Sequence, residues 1–175
     1  MGMFPAGEEV SAMHIRRFEP ADAPAVSALI TRTMRISNAK DYPDEMMAQI
    51  IARQTPADVL SRAGWTHFYV AEDGDGIVGC GAIGPCRGSE TQSSLFSIFV
   101  APEKQGEGIG RRIIETLERD EFALRAERIE IPASITAVEF YKKLGYTYKD
   151  GNDRLDDERL YRLEKRRADA ERKEI

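Results

Sequence analysis

The chain has 175 residues, a formal net charge of -5, 42% hydrophobic residues and 31% charged ones. This length suits one domain whose core needs neither disulfides nor a metal, and the composition excludes a mostly disordered chain. The negative charge argues against non-specific nucleic-acid binding, and no apolar run approaches the roughly 18 residues of a membrane span.

The first eleven residues carry Glu8 and Glu9 and have no apolar stretch, so they do not read as a secretory signal. Ala6 stands where a myristoylation motif wants Ser or Thr. Two cysteines, Cys80 and Cys86, are too few for a disulfide framework and match no zinc spacing. Free thiols in a reducing cytoplasm, and no metal, are the expectations.

His14 to Phe18 alternates and ends at Glu19-Pro20, which predicts a first strand. Val26, Leu29, Ile30 and Met34 recur at helical spacing, predicting a helix from Ala21 to about Asn38 with Asp22 as N-cap. A second helix follows through Met46, Met47, Ile50 and Ile51, and a third short one runs from Thr55-Pro56 to near Gly64. Trp65 to Glu72 and Ile77 to Ile83 read as strands joined by Asp73-Gly74-Asp75-Gly76. The literal G-x-G-x-x-G from Gly74 to Gly79 precedes a strand rather than a helix, so it reads as a hairpin turn and not a dinucleotide site.

Ser94 to Val100 is the next strand, halted by Pro102. Gly106, Gly108 and Gly110 then alternate before a helical pattern with Ile109, Ile113, Ile114 and Leu117 on one face, predicting a long helix to about Ala126. Glycines at a strand-to-helix junction let backbone amides approach an anion, and the helix N-terminus adds partial positive charge. Arg111 and Arg112 stand where a P-loop needs Lys and a hydroxyl, and no register completes a dinucleotide fingerprint.

Downstream, Glu127 to Ile131 reads as a strand ended by Pro132. Ser134 to Leu144 reads as a helix, with either Ser134 or a Thr136/Glu139 capping box at its start and Gly145 as its stop. Tyr146 to Lys149 and Arg159 to Leu163 form a closing pair of strands, and the charged segment from Lys165 is expected to fray. There is no internal repeat.

The segment Gln105-x-x-Gly108-x-Gly110, preceded by Val100-Ala-Pro-Glu and followed by Phe140-Tyr141-x-x-Leu144-Gly145-Tyr146, resembles the coenzyme A pyrophosphate loop and the second landmark of the GNAT superfamily of N-acetyltransferases. The resemblance is close over about the second half of the chain. It implies an α/β (α+β mixed) GNAT-like fold: a mixed, mostly antiparallel twisted sheet of six to seven strands with helices on both faces, forming one domain over 12–164 with flexible termini at 1–11 and 165–175. It further implies a cytoplasmic acyltransferase that moves an acetyl group from acetyl-CoA to a small-molecule or protein amine through a ternary complex. Many relatives pair, so a homodimer is an open expectation; neither nucleic acid nor membrane is an expected partner.

Position by position, the resemblance places the pyrophosphate on Gln105, Gly106, Glu107, Gly108, Ile109, Gly110 and Arg111. The pantetheine arm would pair with the backbone of Ile98, Phe99 and Val100, where an amide near Phe99 or Val100 polarises the thioester. Ser134, Thr136 and Phe140 complete the cofactor site, with Ser134 standing in place of the family's usual Asn. Tyr141 matches the tyrosine that protonates the departing thiolate, since a phenol stays protonated at neutral pH.

The general base is open. Many relatives carry a Glu on the fourth strand, where this chain has Ser94 and Ser97; Glu72, Glu90, His67, Asp41 and Tyr42 are alternatives. Two rival readings remain, an acyl-CoA-binding module without turnover and a nucleotide-binding regulatory domain.

Overall fold

Apolar strands with a buried centre build a seven-stranded sheet in the computed structural model, which describes residues 12–167. The strands are β1 (His14–Arg17), β2 (His67–Asp73), β3 (Gly76–Pro85), β4 (Gln92–Val100), β5 (Arg128–Ala133), β6 (Thr147–Tyr148) and β7 (Tyr161–Arg166). Their order is β1-β2-β3-β4-β5-β7-β6, parallel between β4 and β5 and antiparallel elsewhere.

Six α-helices accompany the sheet: α1 (Ala23–Ser37), α2 (Asp44–Ile51), α3 (Pro56–Ala63), α4 (Ile109–Glu118), α5 (Glu121–Leu124) and α6 (Val138–Lys143). On α4 the expected stripe of Ile109, Ile113, Ile114 and Leu117 is buried. It lies against β3, where a Cβ on Gly81 would stand 2.6 Å from Ile113 Cγ2, so only glycine lets helix and strand come this close. Val26, Ile30, Val59, Phe68, Val70 and Leu95 are among the fully buried side chains of the core. Each contributes about 1.5–3 kcal/mol when removed from water.

The hairpin reading of Asp73 to Gly76 holds, with Asp73 paired to Gly76 and Gly76 at φ 102°. Cys80 and Cys86 are free thiols. Several details differ from the sequence reading.

The helix expected to reach Ala126 stops at Glu118, because Asp120 turns its carboxylate to the Phe122 amide and starts α5 afresh. Pro132 does not end β5. Pairing with β4 already stops at Glu130, while pairing with β7 continues through Ala133. Asp22 occupies the N-cap position of α1 without capping it, since its carboxylate accepts instead from the Glu19 amide and Arg16.

Thr136 and Glu139 form no capping box. The first turn after Ser134 is a 3-10 turn, and the Thr136 hydroxyl donates to Asp41 Oδ1 at 2.6 Å. Lys165 and Arg166 belong to β7, whereas the sequence placed them in a frayed tail; Lys165 Nζ donates to Glu118 Oε1 at 2.8 Å. The expectations for 1–11 and for 168–175 lie outside the described residues.

Candidate active site

The site begins where the sheet divides. β4 and β5 pair only from Gln92/Arg128 to Ser94/Glu130, after which β4 continues to Val100 with no neighbour on that side. The rest of β4 is therefore an open strand edge in mid-sheet, with unused amides and carbonyls.

A bulge marks the division. The register with β3 shifts between Cys80/Phe99 and Ala82/Phe96, leaving Ser97 and Ile98 opposite Gly81, and Ser97 has φ 52°. A non-glycine residue in this region is uncommon and persists only where its surroundings hold it. Here the hold is Arg62, whose Nη1 donates to Ser97 Oγ at 2.8 Å. Beyond the bulge the Ala101 amide donates to Val78 O at 2.8 Å, toward β3. Strand alternation then turns Phe99 toward β3 and the amides of Ile98 and Val100 toward the gap.

At the mouth of the gap lies the glycine loop. Gly106 and Gly108 both have φ 82°, a conformation glycine adopts freely, and a Cβ on either would meet nothing within 4 Å. Among the described residues the amides of Gly106, Glu107, Gly108, Ile109, Gly110 and Arg111 donate to no backbone acceptor. The Arg112 amide, bonded to Gly108 O at 3.1 Å, is the first to enter the helix ladder. Six free donors at the positive end of α4, lying against open space, fit a diphosphate.

Gln105 takes a different part from the one expected of its amide, which is engaged by Pro102 O at 3.4 Å. Its side chain ties the loop down, donating from Nε2 to Val100 O at 3.1 Å and to Ser37 Oγ at 3.0 Å. Lys104 holds the same loop to the β2–β3 hairpin through Asp73 and Asp75, both at 3.0 Å.

Gap and loop open into one cavity of about 690 Å³. Of the residues expected at the site, Ile98, Phe99, Val100, Gln105, Gly106, Gly108, Ile109, Gly110, Arg111, Ser134, Thr136, Phe140 and Tyr141 all line it. Glu107 does not; its side chain is exposed, leaving only its amide to contribute. Tyr141 is buried at 4% exposure, and burial alone pushes its phenol pKa up, so the hydroxyl keeps its proton. The ring stands edge-on to Phe140 and Tyr146, with centroids 5.1 and 6.0 Å away.

Of the five alternatives for a base, only Tyr42 lines the cavity, and burial followed by the nearby Asp41 and Asp156 raises its pKa, which keeps it neutral. His67 is occupied by Asp120, with Nδ1 2.8 Å from Oδ2, and Glu72 by Arg16 at 2.9 Å. Glu90 sits in the β3–β4 connection away from the cavity. Asp41, 1% exposed, braces the wall by accepting from Asn38 Nδ2 at 2.9 Å and from Thr136.

Sequence reasoning missed Ser97 as the bulge, Arg62 as its brace, and Thr33, Asn38 and Gln54 as lining residues. No motif marks them, because they converge on the cavity only through the packing of α1 against β4 and of α3 against α1.

A sheet opened beside a strand edge, with a helix start of free amides at its mouth and a protonated phenol inside, is the architecture that an acyltransferase working on a diphosphate-bearing thioester requires. Residues 64–148 match the family model described as the acetyltransferase (GNAT) domain. The segment is a GNAT acetyltransferase domain, and the enzyme is an acetyl-CoA-dependent acyltransferase.

Solved structures share the fold. The PaiA N-acetyltransferase from Thermoplasma acidophilum, in complex with coenzyme A, is 15% identical, with a TM-score of 0.74 over 89% of this chain and 99% of that one. The GCN5-related N-acetyltransferase from Rhodopseudomonas palustris is 22% identical, with a TM-score of 0.70 over 92% and 99%. A GNAT family acetyltransferase from Brucella melitensis, in complex with acetyl-CoA, is 23% identical, with a TM-score of 0.59 over 78% and 84%. No curated protein matches the chain.

Proposed function

We propose that the enzyme is an N-acetyltransferase that passes the acetyl group of acetyl-CoA directly to a primary amine bound in the same cavity. The observation that carries this reading is the continuity of the free amides from Gly106 to Arg111 with the open edge of β4 and the phenol of Tyr141. The amides hold the diphosphate, and Ile98 and Val100 pair with the pantetheine arm as a neighbouring strand would. The Val100 amide donates to the thioester oxygen as it gains charge, a contact typically worth about a hundredfold to a thousandfold in rate. Phe140, Ser134 and Thr136 border the arm.

The amine nitrogen then forms the new bond to the acetyl carbon while the carbon–sulfur bond breaks. Tyr141 gives its proton to the departing sulfur and regains one from the amine through water, leaving an amide and free thiol. Because no Asp or Glu lines the cavity, the amine's proton leaves through water and not to a carboxylate.

That same absence supports the second reading, an acyl-CoA-binding module without turnover. Thiol release from acetyl-CoA across a panel of amines decides between them. Release that depends on the amine supports transfer, and CoA binding without release supports the module. Thermal stabilisation by CoA but not by ATP or NAD excludes a nucleotide-binding domain; preference for either nucleotide would sink both readings.

A further inference from the structure

Three charged side chains line the cavity, Arg62, Lys104 and Arg111, and all three are cations. Lys104 and Arg111 stand at the glycine loop and have carboxylate partners, Asp73 and Asp75 for the first and Glu115 for the second. Arg62 stands at the other end, beside Ser97, and among the described residues it makes no ion pair. Asp58, the closest acid along α3, spends its carboxylate on the Thr55 amide and hydroxyl.

The remaining partners of Arg62 are neutral. Nη1 donates to Ser97 Oγ at 2.8 Å, and both terminal nitrogens reach Gln54 Oε1 only at 3.4 Å, the weak end of hydrogen bonding. Burial lowers its pKa from the ordinary arginine value, and the charge of Asp58, which makes no ion pair with it, offsets that only in part. A half-buried guanidinium that no carboxylate touches is a costly arrangement, and its planar fork suits one. A second polar group is also unsatisfied, since the Thr33 hydroxyl, 3% exposed and on the cavity wall, has no partner.

Resting on the acetyltransferase reading above, we propose that the acceptor is a small amino-carboxylate, of the free amino acid class, whose carboxylate is held by Arg62 and whose amine is thereby aimed at the thioester. Ser97, which Arg62 touches, directly precedes Ile98 to Val100, so an anion on Arg62 lies a short spacer from the acetyl carbon. A polyamine or a lysine side chain would find the opposite environment, a cavity lined by cations with no acid to receive an ammonium group.

The test compares substrates on the unaltered enzyme. Thiol release from acetyl-CoA is measured with a set of L-α-amino acids, the matching carboxamides, spermidine and aminoalkylphosphonates. The best free acid is expected to exceed its own carboxamide by at least about tenfold in kcat/KM, which corresponds to about 1.4 kcal/mol. In Arg62→Gln that ratio is expected to fall to within about threefold, and Arg62→Lys is expected to recover part of it. Because the ratio is taken within each variant, a general loss of activity cancels.

Spermidine or a carboxamide outpacing every acid would overturn the assignment. So would an acid preference unchanged in Arg62→Gln, which would leave Arg62 as a brace for Ser97 alone. A phosphonate outpacing every carboxylate would overturn the carboxylate in favour of another oxyanion. Turnover of neutral amines only defeats this inference while sparing the acetyltransferase reading, whereas absence of CoA stabilisation defeats the donor site itself.

Discussion

A Cβ placed on Gly110 would stand 3.0 Å from the Cζ of Phe140, so the first turn of α4 and the α6 landmark touch where the glycine has no side chain. Gly110 is thus the close-approach glycine of the loop, while Gly106 and Gly108 supply the positive φ. Gly110→Val should push the Phe140 ring away and, through its edge contact, displace Tyr141. The expected outcome is a loss of about 1–3 kcal/mol in stability from overpacking, together with a fall in kcat. Denaturant unfolding and steady-state rates measure the two, and an unchanged kcat would show that Phe140 does not position Tyr141.

Gly108 calls for a different result. Nothing stands within 4 Å of a Cβ there and Gly108 lines the cavity, so a large side chain has room to extend from the loop and compete with a bound diphosphate. Gly108→Trp should abolish measurable CoA binding by calorimetry while circular dichroism retains the native spectrum. Strain at φ 82° costs about 1–2 kcal/mol, too little to unfold a domain of this size. Retained affinity would mean that the diphosphate lies elsewhere.

The contrast between these glycines shows what sequence can and cannot reveal. Strand, loop and helix were legible around residues 95–117 because the hydrophobic period changes from two to 3.6 across a glycine cluster. The break at Asp120 was not, since its cause is tertiary: His67 and Tyr69 of β2 hold the carboxylate that starts α5. Ser97 looks like an ordinary strand residue, and the groups that hold it at positive φ, Arg62 and the Cys80 thiol, come from 35 and 17 residues earlier in the chain. Likewise Thr136 reads as a helix cap until Asp41 is found 95 residues away to take its hydroxyl. Local chemistry was readable at the glycine-loop end of the cavity; the opposite end is assembled from distant helices, and its residues carry no shared pattern.

Tyr141→Phe removes one hydroxyl and leaves the ring. If that hydroxyl protonates the thiolate, kcat should fall about 10²-fold or more, while CoA affinity changes by less than about twofold. Burial raises the phenol pKa above its ordinary 10.0, so the acid form persists through the neutral and mildly alkaline range. An alkaline fall in kcat below about pH 10 would therefore not come from Tyr141, and the Phe variant should show the same limb at a lower plateau. A rate equal to that of the unaltered enzyme would return Tyr141 to the core.

One source of acid sensitivity should be the ion pair that Arg16 of β1 makes with Asp22. Arg16 donates to Asp22 from Nη1 at 2.8 Å and Nη2 at 2.9 Å and reaches Glu72 from Nε at 2.9 Å, so one guanidinium ties the start of α1 to β2. The hydrogen bonds from Arg16 hold the Asp22 carboxyl below its ordinary 3.8, with burial opposing and the Glu19 amide assisting. A depressed folded-state pKa adds stability that is fully present above the unfolded value and is lost as pH falls through the folded one. Unfolding free energy should therefore be level from pH 7 to about 5 with respect to this group and decline below about 4. Asp22→Asn should cost about 1–2 kcal/mol at neutral pH, since the pair is only partly buried, and should flatten the decline between about pH 4 and pH 2. Denaturant titrations across that range read both effects, and an equally steep decline in the variant would assign the acid sensitivity to other carboxylates.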